Sequence, residues 1–340
     1  MPQRINVSDF DLAATLECGQ AFRWRRAADG WFEGVVGREV WRLRQSGGIL
    51  EWDCSRETFS RPTRSAGASR EYDSRLQYYL SLDVSLPDIA ATFPADDEPL
   101  RAAVQKHWGL RVLRQEPWEC LASFMASSTK QIVQIRQIVA ELSRRFGEPL
   151  GDADGRTRRA QRGRDAVPRV RGRAAARPYH SFPTVSAIAR ASHKELWDCK
   201  LGFRAKNLLA AARMIEDGKI ELDRLSAMEY ERALEELLKL PGVGEKIANC
   251  TLLFSCGFEQ AFPVDVWIER ALRRLYFGGS GLPPRPAGPA HGGVALEKRS
   301  HEKVTARQLR DFARGHFGPH AGWAQQYLFF QERTRQKDRE

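Results

Sequence analysis

The residues most able to do chemistry lie in the stretch from 230 to 268, where a lysine and an aspartate follow a glycine-rich turn. In LPGVGEKIANC, Gly242 and Gly244 separate two stretches with helical periodicity. Pro241 cannot continue the first helix, so the chain turns and a second helix begins near Glu245. The N–H groups and the dipole at the start of a helix suit an anion. The stretch therefore predicts a helix-hairpin-helix that grips one nucleic-acid phosphate and reads no base.

Two other phosphate-binding motifs share some of these letters and do not fit. A dinucleotide fingerprint needs a preceding strand and a third glycine, whereas here a helix precedes the turn and Ile247 occupies the place of that glycine. A P-loop needs Gly-Lys-Ser/Thr, which this turn lacks. Helix-hairpin-helix motifs also occur in proteins that only bind nucleic acid, so the turn alone does not predict an enzyme.

A lysine and an aspartate near the turn favour catalysis over binding alone. Lys246 lies in the first turn of the second helix, where the positive end of the dipole disfavours a cation. It could serve as an amine nucleophile or simply face a phosphate. Nineteen residues later, in FPVDVW, Asp265 stands at the start of another helix, where a carboxylate is a good N-cap and is held rigidly. A lysine and a capped aspartate after a phosphate-binding turn form a much rarer combination than any of its parts.

These motifs resemble those of the 8-oxoguanine DNA glycosylases, a family of helix-hairpin-helix DNA glycosylases with the Gly/Pro-Asp signature. LPGVGEKIANC and PVDVW are similar to the family's catalytic core, and LECGQAFRW is similar to its Gly-Gln-x-Phe-Arg-Trp element. YYLSLDVSL, EPWECLASFMASS, LGFRAKNL and GWAQQYLF resemble it as well. The resemblance covers most of the chain outside two insertions and the loop at 55–71.

The resemblance implies a bifunctional DNA glycosylase/AP lyase that removes 8-oxoguanine from duplex DNA. In this family the lysine, here Lys246, attacks the sugar C1′ of a flipped nucleotide, and the resulting Schiff base leads to β-elimination and strand cleavage. Asp265 would stabilise the positive charge that develops on the sugar and assist proton transfer. The alternatives are a glycosylase for alkylated or ring-opened purines and a non-catalytic helix-hairpin-helix DNA-binding protein.

The same resemblance implies a pocket for the flipped base. Cys250 and Phe254 follow the catalytic lysine by four and eight residues, so all three share a helical face. By family likeness, Cys250 and Phe329 sandwich the base and Gln325 hydrogen-bonds its Watson–Crick edge. The carbonyl of Gly19 would accept the N7 hydrogen that 8-oxoguanine has and guanine lacks; otherwise Gly19 is a turn glycine. The predicted base-recognition residues are Gly19, Cys250, Phe254, Gln325 and Phe329.

The residues expected to face the opposite base depart from the family. Thr129, Lys130 and Gln131 stand where the family often has asparagines that fill the vacated stack and touch the opposite cytosine. Gln134 replaces an arginine that contacts the same cytosine, whereas Arg204 is kept. We therefore expect a weaker preference for cytosine opposite the lesion.

Two aromatic residues are also unlike their family counterparts. Phe203 stands where a tyrosine wedge is common, and Trp267 replaces a histidine near the lesion's phosphate. These changes leave the catalytic pair untouched. The predicted DNA-binding residues are Thr129, Lys130, Gln131, Phe203, Arg204, Gly242, Val243, Gly244 and Trp267.

The elements that must position these residues fall into a strand-rich and a helical part. Short aromatic and β-branched runs between glycines predict strands at 22–24, 30–36 and 40–43. Further along the chain, apolar residues at spacings of three and four predict helices. The expected fold class is α+β, with a small N-terminal antiparallel sheet domain at 1–110 packed on a mainly helical domain at 111–335.

Two segments without an amphipathic period, 148–183 and 278–293, are predicted to be flexible insertions. Residues 156–177 hold nine arginines and one aspartate, and without them the net charge falls from +11 to +3. This segment is either a DNA-tracking arm or a solvated tract, and we favour the solvated tract. The overall charge is therefore compatible with a polyanionic partner but does not establish one.

The composition excludes several classes of protein. The six cysteines are scattered without a C-x-x-C pair, which argues against a disulfide scaffold or a zinc ribbon. No cysteine follows Cys256, so the iron–sulfur loop of the related endonuclease III branch is missing. No apolar run approaches the ~18 residues of a membrane helix, and the N-terminus lacks the apolar core of a signal peptide.

Together these features predict the partners and the cofactors. We expect an intracellular, DNA-associated monomer that acts on double-stranded DNA containing oxidised guanine and does not bind a membrane. No metal or organic cofactor is needed, although by family likeness a monovalent cation could bind the carbonyls of the turn.

Overall fold

The computed structural model describes five ranges of the chain, namely residues 2–55, 74–128, 130–150, 179–277 and 304–337. Thr129, the arginine-rich segment 156–177 and the predicted insertion 278–293 lie outside these ranges. The chain divides into two compact units. The first consists of residues 1–84 and 109–257, and the second of residues 85–108 and 258–340.

The predicted N-terminal antiparallel sheet is present and has five strands in the order β1-β5-β4-β3-β2. Its register pairs Val35 with Val40 and Leu43 with Trp52. Trp24 lies so close to β3 that a Cβ on Gly34 would stand 2.4 Å from the indole ring. The strands are β1 Gln3–Asn6, β2 Arg25–Arg26, β3 Phe32–Val36, β4 Glu39–Ser46 and β5 Ile49–Ser55.

The strand predicted at 22–24 is wrong, because the strand there is Arg25–Arg26. Phe22 and Trp24 are both buried in the core, and the alternation that resembles a strand comes from these two inward-pointing rings. Between them, Arg23 forms an ion pair with Glu119 at 3.3 Å. Side-chain contacts, rather than strand pairing, therefore hold this segment.

The flexible insertion predicted at 148–183 is wrong at both of its ends. Strand β6, Pro149–Leu150, pairs antiparallel with β7, Tyr179–His180. Leu150 packs with Val35 and Val40, and the Tyr179 hydroxyl donates a hydrogen bond to Glu33 at 2.7 Å. The segment therefore leaves and re-enters the fold at a fixed place beside β3 and β4.

Outside the strands, the regular structure of the described ranges is mainly helical, as the apolar spacing predicts. Residues 74–79 are also helical, and Trp197–Leu201 form a π-helical turn. None of the helices in the described ranges has the length and apolar composition that crossing a membrane requires. The helices are α1 Leu12–Glu17, α2 Leu86–Ala91, α3 Glu98–Lys106, α4 Pro117–Ser127, α5 Ile132–Phe146, α6 Val185–Ala189, α7 His193–Leu196, α8 Arg204–Glu216, α9 Tyr230–Leu238, α10 Glu245–Ser255, α11 Val266–Tyr276, α12 Ala306–Phe317 and α13 Ala321–Lys337.

Helices α4 and α10 form the centre of the helical part of the first unit. They pack against each other, and almost every residue of both is buried. Every residue from Cys120 to Ser127 is buried, and the mostly apolar sequence of this stretch is typical of a helix that lies inside a protein. The relative position of the side chains that these two helices carry is therefore fixed by close packing.

In the second unit, a buried carboxylate joins three helices. Asp97 caps α3, and its carboxylate accepts the hydroxyl of Tyr276 from α11 at 2.9 Å and meets Nε2 of His316 from α12 at 2.8 Å. Burial alone would raise the pKa of Asp97. The hydrogen bonds from His316, the amide of Leu100 and Tyr276 outweigh burial, so the pKa of Asp97 is lowered.

Replacing Asp97 by asparagine should destabilise the fold and change its pH dependence. Because the folded pKa of Asp97 is lowered, its ionised form stabilises the protein above the unfolded value of about 3.9, and this stabilisation is lost as the pH falls through the folded pKa. We expect Asp97→Asn to lower the free energy of unfolding by about 1–3 kcal/mol at pH 7, with a smaller loss near pH 3. Urea denaturation at both pH values measures this.

The exposed carboxylate of Asp88 supplies the matched control for this experiment. Asp88→Asn should change the free energy of unfolding by less than about 0.5 kcal/mol at pH 7. An equal effect of the two substitutions at neutral pH would contradict the role assigned to the Asp97 network.

Candidate active site

The turn between α9 and α10 has the predicted form, and its glycines serve different purposes. Gly242 has φ +79°, and a Cβ there would stand 2.5 Å from the Asn207 amide. Gly244 is the N-cap of α10, and a Cβ on it would meet no atom within 4 Å. The protein's own packing therefore requires glycine at 242 but not at 244. The open space before α10, whose N-terminus has no side-chain cap, is what a phosphate would need.

Val243 is the turn residue least able to contact a phosphate. It is buried, and its N–H donates to the carbonyl of Leu240 at 3.1 Å. That bond closes the turn, so the anion would be met by the helix start rather than by Val243. A monovalent cation on the carbonyls of this turn stays a prediction.

Lys246 is oriented by α4 without being neutralised. Its Nζ donates a hydrogen bond to Oγ of Ser127 at 3.0 Å and lies 5.0 Å from the centroid of the Phe124 ring. The Ser127 hydroxyl donates in turn to the carbonyl of Phe124 at 2.6 Å, which leaves its oxygen as the acceptor for Lys246. Among the residues that the structure describes, no carboxylate pairs with Lys246.

Behind Lys246, three phenylalanine rings form a column in the core. Phe254 stacks on Phe124 with centroids 5.5 Å apart, and Phe22 meets the same ring edge-on at 5.5 Å. Phe254 is only 3% exposed, so the structure places it in the wall that supports Phe124 and Lys246. The base contact of Phe254 stays a prediction.

Cys250 lies one helical turn after Lys246, as the spacing predicts. It is buried, and its backbone carbonyl lies 3.9 Å from the sulfur of Cys120 on α4. Burial raises the pKa of the Cys120 thiol well above its ordinary value, so Cys120 stays protonated at neutral pH. These contacts fix the part of α10 that carries Cys250.

Gly19 has the backbone of a turn glycine and also an available carbonyl. Its φ is +97°, a conformation that side-chain-bearing residues rarely adopt. Within the described ranges, nothing donates a hydrogen bond to its oxygen. The next residue, Gln20, is held by the carbonyls of Thr15 and Arg111 at 2.9 and 2.7 Å and by the amide of Leu113 at 2.8 Å. The two interpretations of Gly19 are therefore compatible.

Asp265 is the N-cap of α11, as predicted. Its Oδ1 accepts the amides of Trp267 and Ile268 at 3.0 and 2.9 Å. Two bonds to the backbone fix the direction of this carboxylate. Asp265 belongs to the second unit, whereas Lys246 belongs to the first.

Gln325 and Phe329 lie one turn apart on α13, which packs against α11. Gln325 is 4% exposed, and its Oε1 is buried without a hydrogen-bond partner in the described part of the chain. A buried acceptor without a donor costs about 1–3 kcal/mol, so its presence points to a ligand that supplies one. Phe329 is half-buried, with the Arg333 guanidinium 5.9 Å from its ring centroid.

Arg204 contacts two of the segments that are predicted to face the opposite strand. Its guanidinium donates to the carbonyls of Leu201, at 3.2 Å, and Ser128, and lies 4.2 Å from the Phe203 ring centroid. Burial lowers the pKa of Arg204. Phe203, in contrast, is 65% exposed, as a wedge would be. Arg204 therefore anchors the segment after α4 as well as the exposed ring.

The segment that follows Ser128 is shaped by its own backbone bonds. The amide of Lys130 donates to the carbonyl of Ser127 at 3.1 Å, and Oε1 of Gln134 accepts the amide of Gln131 at 3.1 Å. The amide oxygen of Gln134 is therefore already engaged by the backbone at the start of α5.

Three functional side chains were not predicted from the sequence. Ser127 and Phe124 orient Lys246, and Gln20 fixes the loop of Gly19. All three lie within quoted motifs, EPWECLASFMASS and LECGQAFRW, but no local pattern marks them as partners of residues far along the chain. In the described ranges, no cluster of three or more metal-ligating side chains occurs.

Comparison with known proteins decides the family. Residues 3–121 match the N-terminal domain of 8-oxoguanine DNA glycosylases, and residues 122–284 match the HhH-GPD superfamily of base excision DNA repair proteins. The chain belongs to the 8-oxoguanine DNA glycosylase family. These matches confirm the family and the fold class predicted from the sequence.

Sequence similarity to members of the family extends along nearly the whole chain. An N-glycosylase/DNA lyase of Arabidopsis thaliana is 27% identical over 99% of this chain and 81% of its own length. A probable N-glycosylase/DNA lyase of Methanothermobacter thermautotrophicus is 26% identical over 96% of this chain and 94% of its own. A Clostridium acetobutylicum 8-oxoguanine glycosylase/lyase, solved with double-stranded DNA containing cytosine opposite 8-oxoguanine, is 27% identical with a TM-score of 0.76, covering 99% of this chain and 98% of that one. They confirm the predicted N-glycosylase/DNA lyase class.

Removing the unsatisfied amide of Gln325 should stabilise this family member. We expect Gln325→Met, which keeps the volume, to raise the free energy of unfolding by about 1 kcal/mol, because a buried acceptor without a donor is removed. Gln20→Met is the matched control. It removes three buried hydrogen bonds and should lower the free energy of unfolding by at least about 2 kcal/mol. Urea denaturation of the free protein measures both, and destabilisation by Gln325→Met would contradict the assignment.

Proposed function

We propose that this chain excises 8-oxoguanine from duplex DNA and then cleaves the strand, with Lys246 as the nucleophile. One observation carries the proposal. The amine of Lys246 is held by the Ser127 hydroxyl, has no carboxylate partner in the described ranges, and lies in the first turn after the phosphate-binding turn. The Clostridium relative bound to 8-oxoguanine-containing DNA supports the same substrate.

The first chemical step is attack of the Lys246 amine on the sugar C1′ of the flipped nucleotide. The bond between C1′ and the base nitrogen breaks, and the base leaves with the electron pair and takes up a proton. The Lys246 nitrogen then loses a proton, and the sugar ring opens as its oxygen takes up a proton, which gives a Schiff base between the nitrogen and C1′. Loss of a proton from C2′ of this Schiff base expels the 3′ phosphate by β-elimination. Because no carboxylate pairs with Lys246, its approach to C1′ breaks no ion pair.

Asp265 supports this step through charge. As the glycosidic bond lengthens, positive charge develops on the sugar, and a fixed carboxylate beside it lowers the energy of that state. The two amide bonds on Oδ1 keep the carboxylate oriented without reorganisation during the reaction. Asp265 therefore acts as the stabilising group, and the cap is what makes it effective.

Two acceptors would bind the flipped base, and one of them would distinguish 8-oxoguanine from guanine. The Gly19 carbonyl would receive the N7 hydrogen of 8-oxoguanine, whereas guanine would place a second acceptor against it. Oε1 of Gln325 would take a donor from the Watson–Crick edge of the same base. The Watson–Crick edge is the same in guanine and 8-oxoguanine, so discrimination between the two bases rests on the Gly19 carbonyl. An acceptor left without a donor when the bound base covers it costs about 1–3 kcal/mol, which favours the oxidised base over guanine.

Trapping of the covalent intermediate tests the role of Lys246. Borohydride reduction during turnover on 8-oxoguanine duplexes should give a protein–DNA adduct with the wild type and none with Lys246→Gln. The matched control is Lys239→Gln, an exposed lysine that pairs with Glu236 at 2.6 Å and should trap normally. An undiminished adduct with Lys246→Gln would refute the assignment.

The rate of excision by this protein should depend less on the base opposite the lesion than it does in other members of the family. A bidentate contact to a base supplies about 1–3 kcal/mol, but Gln134 caps α5 and Arg204 spends donors on Leu201 and Ser128. We expect single-turnover excision to be favoured opposite cytosine, less steeply than in relatives with asparagine and arginine at these places. Rates opposite each of the four bases measure this.

Substitutions of two arginines on α8 show whether the opposite-base preference depends on Arg204 in particular. Arg204→Ala should flatten the opposite-base preference further, because it releases both Phe203 and the segment after Ser128. Arg213→Ala removes a bond to the Ala189 carbonyl and should leave the preference unchanged. Steep selectivity in the wild type that survives Arg204→Ala would show that other residues read the cytosine.

A further inference from the structure

Helix α11 carries three arginines, and they are not in equivalent surroundings. Arg273 pairs with Glu269 at 2.9 Å, and Arg274 pairs with Glu332 at 2.5 Å. Across the ranges that the structure describes, Arg270 meets no carboxylate. Its recorded contact is the Trp267 ring, whose centroid lies 5.7 Å from the guanidinium carbon.

The position of Arg270 over the indole leaves its guanidinium able to bind an anion. A cation–π contact with the ring face consumes none of the five N–H donors, which lie in the plane of the guanidinium. Arg270 is exposed, and Trp267 beneath it is half-buried. The indole therefore limits the rotamers of Arg270 without consuming its donors.

The place of Arg270 on the helix connects it to the proposed chemistry. Trp267 is the second residue after Asp265 and donates its amide to that carboxylate. Arg270 follows Trp267 by three residues, so both side chains lie on one face of α11. Val266, at the start of the same helix, is 53% exposed. A cation and an exposed helix start therefore lie on the element that begins with Asp265.

We propose that Arg270, which lies over the ring of Trp267, binds a backbone phosphate of the DNA near the nucleotide that Asp265 acts on. The proposal rests on the proposed function, because it takes DNA as the substrate. The guanidinium edge matches two phosphate oxygens, which is the pairing that an arginine without a carboxylate partner is suited to make. The guanidinium of Arg270 would thus provide a positive charge next to Trp267, whose side chain is uncharged.

A salt titration tests the phosphate contact directly. The probe is a duplex with an uncleavable abasic-site analogue opposite cytosine, bound by wild type and by Arg270→Gln. Each phosphate contact adds about 0.9 to the slope of log affinity on log salt, so the slope for Arg270→Gln should be less steep by about 0.9. The affinity advantage of the wild type should then shrink about eightfold between about 50 and about 500 mM salt.

Two further variants separate a phosphate contact from simple packing on the indole. Arg270→Lys keeps the charge and should retain the wild-type slope. Arg274→Gln removes an arginine of the same helix that already pairs with Glu332, and it should also leave the slope unchanged. Equal slopes for wild type and Arg270→Gln, or the same loss of affinity at every salt concentration, would overturn the inference.

The outcomes also distinguish this inference from the proposed function. An active wild type whose slope is unaffected by Arg270→Gln refutes the phosphate contact and leaves the glycosylase activity standing. A wild type that binds the duplex with the expected slope difference, but neither excises 8-oxoguanine nor forms a borohydride adduct, refutes the activity and supports the contact.

Discussion

The packing of α4 against α10 is the constraint on which the candidate site depends. Phe124 on α4 is fixed between Phe22 and Phe254, and Ser127 at the end of the same helix holds the Lys246 amine. Because a close-packed core resists deformation, the groups that contact the amine are themselves held in place. The turn proposed to bind a phosphate runs directly into α10, so this turn and the proposed nucleophile belong to one helix. A small shift in that packing would move both.

In the second unit, α11 is fixed at both ends. Its N-terminus is capped by Asp265, and Tyr276 at its other end donates to the buried Asp97. The carboxylate proposed to stabilise charge on the sugar is therefore part of a helix that cannot easily rotate or slide. Gln325 is carried by α13, which packs on α11, so the base recognition proposed for Gln325 would depend on the same framework.

Several polar groups near the site are left without the partners that folded proteins normally supply. The Gly19 carbonyl and Oε1 of Gln325 have no donor within the described ranges, and Arg270 meets no carboxylate there. Some other buried groups have their hydrogen bonds satisfied, as Gln20 and Asp97 show, whereas the indole nitrogens of Trp52 and Trp323 have no hydrogen-bond partner in the described ranges. Unpaired groups reduce stability by about 1–3 kcal/mol each when buried, and they persist where a ligand completes them.

The sequence by itself determined the features that depend on neighbours a few residues apart. The turn at Gly242, the start of α10 before Lys246 and the cap at Asp265 follow from proline, glycine and capping preferences, which act within one helical turn. The antiparallel sheet and the helices follow from apolar spacing. The family and its chemistry came from matching motifs, which the comparisons confirm at the level of the family.

Only the tertiary structure decided which residues support that chemistry. Ser127 and Lys246 are 119 residues apart in the chain, and Gln20 reaches Arg111 across 91. The strand misplaced at 22–24 and the ordered ends of the insertion at 148–183 have the same origin, since Arg23 pairs with Glu119 and Leu150 packs on Val35. Periodicity and spacing report local geometry alone, whereas these contacts exist only because packing brings distant segments to one place.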